Sequence, residues 1–123
     1  MERLIDSVIL IDHLNGIEKA TQFILGLDHK KTAISVITRA EVLVGIDDEN
    51  TPIIKAFLDQ FQTLFINNDI ADEAATLRRQ HGWKLPDAFQ AAISIKNKIK
   101  LTTRNTKDFN PGKHDFVEIP YHI

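Results

Sequence analysis

The sequence predicts an α/β fold with a mainly parallel sheet and helices on both faces, and three observations predict it. Short apolar runs of strand length alternate along the chain with stretches whose apolar residues recur at three- and four-residue spacing. Strands separated by helices in this way assemble as parallel neighbours, because a parallel connection has to cross back along the sheet. The composition, 43% apolar and 26% charged over 123 residues, is that of one ordinary globular domain. A disordered chain, a coiled-coil rod and a fibre are excluded.

Leu4-Ile5 reads as a short buried strand broken by Asp6-Ser7. Ser7 is placed to cap a helix over Val8 to Leu14, which Asn15-Gly16 closes. Ile17, Ala20, Phe23, Ile24 and Leu27 share one face of a second helix, and Gly26 weakens its end. Thr32 to Val36 is a second strand. A third helix, marked by Ile37, Ala40, Leu43 and Val44, ends near Gly45. Pro52 opens a fourth, with Ile53, Ile54, Phe57, Leu58 and Phe61 facing inward. Leu64 to Ile66 is the third strand. Asp69 is expected to cap the next helix, whose inward face is Ile70, Ala74, Leu77 and His81 and which Gly82 stops. Pro86 fits a first helical turn, and Asp87 to Lys98, rich in Ala and Ile on more than one side, should be largely buried. Lys100 to Thr103 is the fourth strand, Asn105 to Gly112 a turn region, and Phe116 to Ile119 an edge strand closed by Pro120.

Composition also removes several chemistries. With no Cys, there are no disulfides, thiolate zinc sites or Cys nucleophiles. Glycine-rich phosphate loops and a G-x-S-x-G elbow are missing, and the five His show no paired metal spacing. The first apolar stretch is bracketed by Asp6 and Asp12, unlike a signal peptide, and no run approaches the roughly 18 apolar residues of a membrane span. A cytoplasmic protein without a membrane role is expected. The net charge of −2 argues against a broad nucleic-acid clamp but allows a basic rim around an acidic centre.

Carboxylates remain, in suggestive places. Asp6 follows the first strand, Glu41 lies soon after the second, Asp108 follows the fourth with Thr103 and Asn105 before it, and Asp87 opens the buried helix. In a parallel sheet these places share the rim where ligands bind. Each also fits a structural role. Asp6 suits a helix cap, Thr38-Arg39-Ala40-Glu41 a capping box, Asp87 a helix dipole and Asp108 an Asx turn. Asp12, Asp69 and Asp72 read as structural acids. The conjunction of four is what demands chemistry. Two like charges about 4 Å apart cost about 4 kcal/mol at an effective dielectric near 20. Convergence therefore requires protons or a divalent cation, and oxygen-only ligands point to Mg²⁺ or Mn²⁺ rather than zinc. Such an ion suits metal-assisted phosphoryl chemistry, in which it activates water and neutralises transition-state charge.

At these residues the sequence resembles the PIN domain, and within it the small VapC-type toxins of toxin–antitoxin modules. The matching stretches are Leu4 to Asp12, Ser35 to Gly45, Leu85 to Ala92 and Leu101 to Phe109, in the family's order and over nearly the whole chain. The resemblance implies a three-layer α/β/α PIN-like fold with a sheet of four to five strands. It implies a Mg²⁺- or Mn²⁺-dependent endoribonuclease that hydrolyses RNA phosphodiesters with metal-activated water. Asp6 and Asp87 would be the most direct ligands, Glu41 and Asp108 would complete the site, and Thr103 and Asn105 would support ligands or water. A homodimer and a cognate antitoxin, whose tail places a basic side chain among the acids, are implied too. Lys98 departs from the resemblance, standing at a turn where relatives usually carry Gly, at a cost of about 1 kcal/mol if its backbone is left-handed.

Arg39, Arg78, Arg79, Lys84, Arg104 and Lys107 offer a basic rim for RNA, and Trp83, between Arg79 and Lys84, is a candidate for stacking on a base or for folding onto the core. The other functional class open to this sequence is a non-catalytic PIN-like module that binds RNA or protein with vestigial acids.

Overall fold

The computed structural model describes all 123 residues. Five parallel strands form one sheet: β1 (Arg3–Ile5), β2 (Thr32–Ser35), β3 (Gln62–Leu64), β4 (Lys100–Thr102) and β5 (Val117–Glu118). Between them run α1 (Ser7–Leu14), α2 (Glu18–Leu25), α3 (Val36–Leu43), α4 (Thr51–Leu58), α5 (Asn68–His81) and α6 (Leu85–Asn97).

The two faces of the sheet separate two cores, as alternating side chains require when helices cover both sides. Leu4, Ala33, Leu101 and Val117 face α5 and α6, joined by Ile70, Ala74, Leu77, Ala91, Ala92 and Phe109. Ile5 and Ile34 face the other way, onto Ile9, Leu10, Ala20, Ile24, Val42 and Leu58 of α1 to α4. This is the three-layer α/β/α sandwich.

Strand order β3-β2-β1-β4-β5 fixes where function sits. The first three strands march outward in one direction, and the chain then returns to lay β4 on the other side of β1. The β1/β4 boundary is thus the switch point, and ligands of open parallel sheets bind beyond the carboxyl ends of the strands there. Asp6 is the first residue after β1 and Thr103 the first after β4.

Several sequence-based expectations shift. Asp6, not Ser7, caps α1, its Oδ1 accepting from the Ser7 N–H at 2.9 Å. Asn67, not Asp69, caps α5 by accepting from the Ile70 N–H, and Asp69 falls in the first turn, where it still favours the helix dipole. Strand β3 lies at Gln62–Leu64 rather than Leu64–Ile66, because it is an edge strand whose polar residues face water, and Phe65 beyond it is 74% exposed. Val44 and Ile53 are exposed, whereas α3 buries Thr38 and Val42. No capping box forms in α3: Ser35 caps it by accepting from the Thr38 N–H. His81 is exposed and stacks on Trp83, with ring centroids 4.2 Å apart.

Gly82 ends α5 at φ +72°, a conformation that spares a glycine the Cβ clash other residues meet. Lys98 ends α6 at φ 56°, ψ 45°, paying that clash in full. No helix is long and apolar enough to cross a membrane.

Candidate active site

Asp6 stands at the centre of the switch point and is 7% exposed. It is held on both carboxylate oxygens. The Ser7 N–H reaches Oδ1, the Thr103 hydroxyl donates to Oδ2 at 2.7 Å, and the Gln90 amide N–H approaches Oδ1 at 3.4 Å. All these donors are neutral.

Hydrogen bonds run outward from Asp6 to two further acids. The Ser7 hydroxyl donates to Glu41 Oε1 at 3.1 Å, tying α3 to α1. On the other side, the Asn105 N–H donates to Thr103 Oγ1, and its side-chain amide donates to Asp108 Oδ2 at 3.1 Å. The Asp108 N–H returns a bond to Asn105 Oδ1, closing the turn that the sequence had assigned to Asp108 itself. Asp87 completes the set from the first turn of α6. Gln90, three residues on and therefore on the same helix face, reaches Asp6 and so brings Asp87 over the same rim.

The electrostatics report one shared site. Asp87 is pushed up to about 6 from an ordinary 3.8, first by burial and then by the charges of Asp6, Asp108 and Glu41, with Lys84 opposing. Glu41 is also raised, by burial and by Asp6, although Ser7 draws it back. The acids are nevertheless not collapsed into a cage: no three His, Asp or Glu side chains stand close enough to hold an ion ready-made. Ser7 and Asn105 act as spacers, keeping Glu41 and Asp108 one hydrogen-bonded residue away from Asp6 and its neighbour Thr103. The donor set consists of carboxylate, hydroxyl and amide oxygens without a His or thiol, which fits a hard dication such as Mg²⁺ or Mn²⁺.

The basic residues divide. Arg104 forms a two-pronged pair with the buried Asp12, at 2.8 and 3.0 Å, and Tyr121 donates its hydroxyl to the same carboxylate at 2.8 Å. Burial alone would raise Asp12, but these partners hold it below the ordinary carboxylate range. Arg39 pairs with Asp59 at 2.8 Å, and Arg78 donates to the Trp83 carbonyl at 2.6 Å. Of these three, only Arg104 meets a buried carboxylate; the Arg39–Asp59 pair lies at the surface and Arg78 is itself exposed. Arg79 makes only a long contact to Thr76, at 3.3 Å, and it is exposed, as are Lys84 and Lys107. Trp83 is 5% exposed, stacked on His81 and packed on Phe109, so the indole is a core residue and not a platform for a base.

Sequence reasoning passed over Gln90, Ser35 and Thr38, which are buried around Asp6, and the Asp12–Arg104–Tyr121 cluster. For Gln90 a signal existed: a long amide three residues after Asp87 in an otherwise Ala- and Ile-rich helix.

Comparison with known proteins agrees with this geometry. The sequence profile of the PIN domain matches residues 3–110. A curated relative, Ribonuclease VapC19 of Mycobacterium tuberculosis, is 28% identical over 114 residues, covering 87% of this chain and 91% of its own. A solved toxin–antitoxin complex from Klebsiella pneumoniae contains a chain with TM-score 0.90 and 36% identity, covering 99% of this chain and 100% of that one. FitAcB from Neisseria gonorrhoeae shares the fold at TM-score 0.80 and 20% identity, covering 98% of this chain and 99% of that one. The chain belongs to the PIN-domain family.

Proposed function

We propose that this protein is a Mg²⁺- or Mn²⁺-dependent endoribonuclease and the toxin of a VapBC-type toxin–antitoxin module. The observation that carries the reading is the unbroken hydrogen-bonded line Glu41–Ser7–Asp6–Thr103–Asn105–Asp108 at the sheet's switch point, beside which Asp87 is raised first by burial and then by the charges of Asp6, Asp108 and Glu41. Ribonuclease action is supported by the curated relative's name, and an antitoxin partner by the Klebsiella complex.

In this reading Asp6 and Asp87 hold the ion directly, and Glu41 and Asp108 complete its surroundings directly or through water. A bound dication supplies a water of lowered pKa and neutralises charge on the phosphoryl oxygens. The chain's own residues do the rest. Ser7, Thr103 and Gln90 fix the rotamer of Asp6. Asn105 orients Asp108. Four carboxylates repel an RNA backbone, so the exposed Arg79, Lys84 and Lys107 are the side chains that draw phosphates toward the rim. A homodimer, implied by the family resemblance, belongs to the same proposal. Exposed Val44 and Ile53, beside the acid-bearing α3, offer apolar surface to a protein partner.

The test is RNA cleavage by the wild type in Mn²⁺, with chelator, and by Asp6→Asn. Cleavage is expected in Mn²⁺ alone, and both chelator and substitution are expected to abolish it. Cleavage that survives both would overturn the metal-dependent reading. Tight RNA binding with no cleavage under any condition would favour the non-catalytic module instead.

A further inference from the structure

One buried side chain touches the roots of three acid-bearing elements at once. Gln90 on α6 is 1% exposed, and Ser35 and Thr38 beside it are fully buried. The Ser35 hydroxyl donates to Gln90 Oε1 at 2.6 Å, and Gln90 Nε2 donates to Thr38 Oγ1 at 2.7 Å and toward Asp6 Oδ1 at 3.4 Å. The Thr38 hydroxyl makes a long contact to the carbonyl of Ile5, the residue before Asp6, at 3.4 Å. Ser35 caps α3, which carries Glu41, and α6 carries Asp87.

The Asp6 carboxylate selects the orientation of the amide. Ser35 Oγ accepts from the Thr38 N–H and donates to Gln90 Oε1 at 2.6 Å, with Thr38 Oγ1 farther away at 3.4 Å. The amide nitrogen faces Thr38 and Asp6. The reverse orientation would aim a carbonyl at a buried carboxylate, an uncompensated repulsion between acceptors. A buried amide is costly unless satisfied, and this one is satisfied only by groups that position the acids.

We infer that Gln90, locked by Ser35 and Thr38, is a positioning residue that orients the Asp6 carboxylate and seats α3 and α6, which carry Glu41 and Asp87, around it. The inference rests on the metal-dependent reading above. It assigns Gln90 no contact with substrate or ion. Its influence passes through the Asp6 carboxylate on one side and the seating of α3 against α6 on the other. Outer groups of this kind change metal affinity by about 10–100-fold when removed.

The experiment measures Mn²⁺ affinity by calorimetry and RNA affinity in chelator, for the wild type, Gln90→Leu and Gln90→Glu, with circular dichroism as the fold control. Both variants are expected to bind Mn²⁺ about 10–100-fold more weakly and to require correspondingly more Mn²⁺ for cleavage, with RNA affinity unchanged. Gln90→Glu should be the weaker of the two, since it turns an oxygen toward Asp6. If either variant fails to fold, Ser35→Ala keeps the amide but frees its orientation, and a loss of several-fold in Mn²⁺ affinity is expected. Mn²⁺ affinity within twofold of wild type in the folded Gln90 variants, or in Ser35→Ala where they do not fold, would overturn the inference even if cleavage falls. A wild type that neither binds Mn²⁺ nor cleaves RNA would instead overturn the functional reading, and the inference with it.

Discussion

Two aspartates of nearly equal burial stand at opposite ends of one short helix. Asp6 and Asp12 are each 7% exposed, one capping α1 and one in its last turn. Asp12 meets a guanidinium on two oxygens and a phenol, and is held below the ordinary carboxylate range. Asp6 meets only neutral donors, and its charge adds to burial in raising both Asp87 and Glu41. Burial is therefore not what separates these two acids. The difference lies in whether the chain supplies the countercharge. At Asp12 it does, and the cluster ties β4's loop and the C-terminal segment to α1. At Asp6 it does not, and the deficit is what an external dication would fill.

Breaking each end separates the two roles. Asp6→Asn should lower RNA cleavage by at least about 100-fold, or about 3 kcal/mol of activation free energy, with no loss of melting temperature; a variant that unfolds instead would make Asp6 structural. Arg104→Ala should do the reverse in stability. Removing one partner of a buried pair costs about 3–5 kcal/mol. Here about 2–3 kcal/mol is expected, because the Arg104 side chain is 35% exposed, and chemical denaturation measures it.

A smaller effect sharpens the contrast by its sign. Asp87 titrates at about 6 in the fold against 3.8 unfolded, so its contribution is fully present below pH 4 and is lost as pH rises through 6. Asp12, shifted downward, contributes above pH 4 and loses its contribution only in stronger acid. Without added metal, Asp87→Asn should therefore stabilise the protein at pH 7.5 by about 1–2 kcal/mol after allowance for solvent screening, and by nothing below pH 4. Urea midpoints at the two pH values read it. The smallest effect lies away from both acids. Lys98→Gly should add about 1 kcal/mol by relieving the left-handed backbone at φ 56°, with cleavage unchanged.

Much of this was legible in the sequence because it is local. Apolar spacing marked the helices, Pro86 and Gly82 marked helix ends, and placing acids after strands marked the rim. What escaped was non-local or ambiguous. Asp12 and Arg104 are 92 residues apart, and nothing in either neighbourhood announces the pair. Asn67 and Asp69 are equally good caps by type, and only the backbone at Asn67 decides between them. Trp83 was flanked by basic residues, yet Phe109 and His81 enclose it. Gln90 was visible as an oddity in a buried helix, but its meaning required Ser35 and Thr38 on another element.

The central claim is that the acids at the switch point oppose one another until a dication joins them. Thermal unfolding of wild type and Asp87→Asn at pH 7.5, with and without saturating Mn²⁺, tests it most directly. The account expects Mn²⁺ at 100 times its dissociation constant to stabilise the wild type by about 2.7 kcal/mol and the variant by far less, reversing their order of stability. Equal stabilisation of both proteins, or none of the wild type, would contradict it.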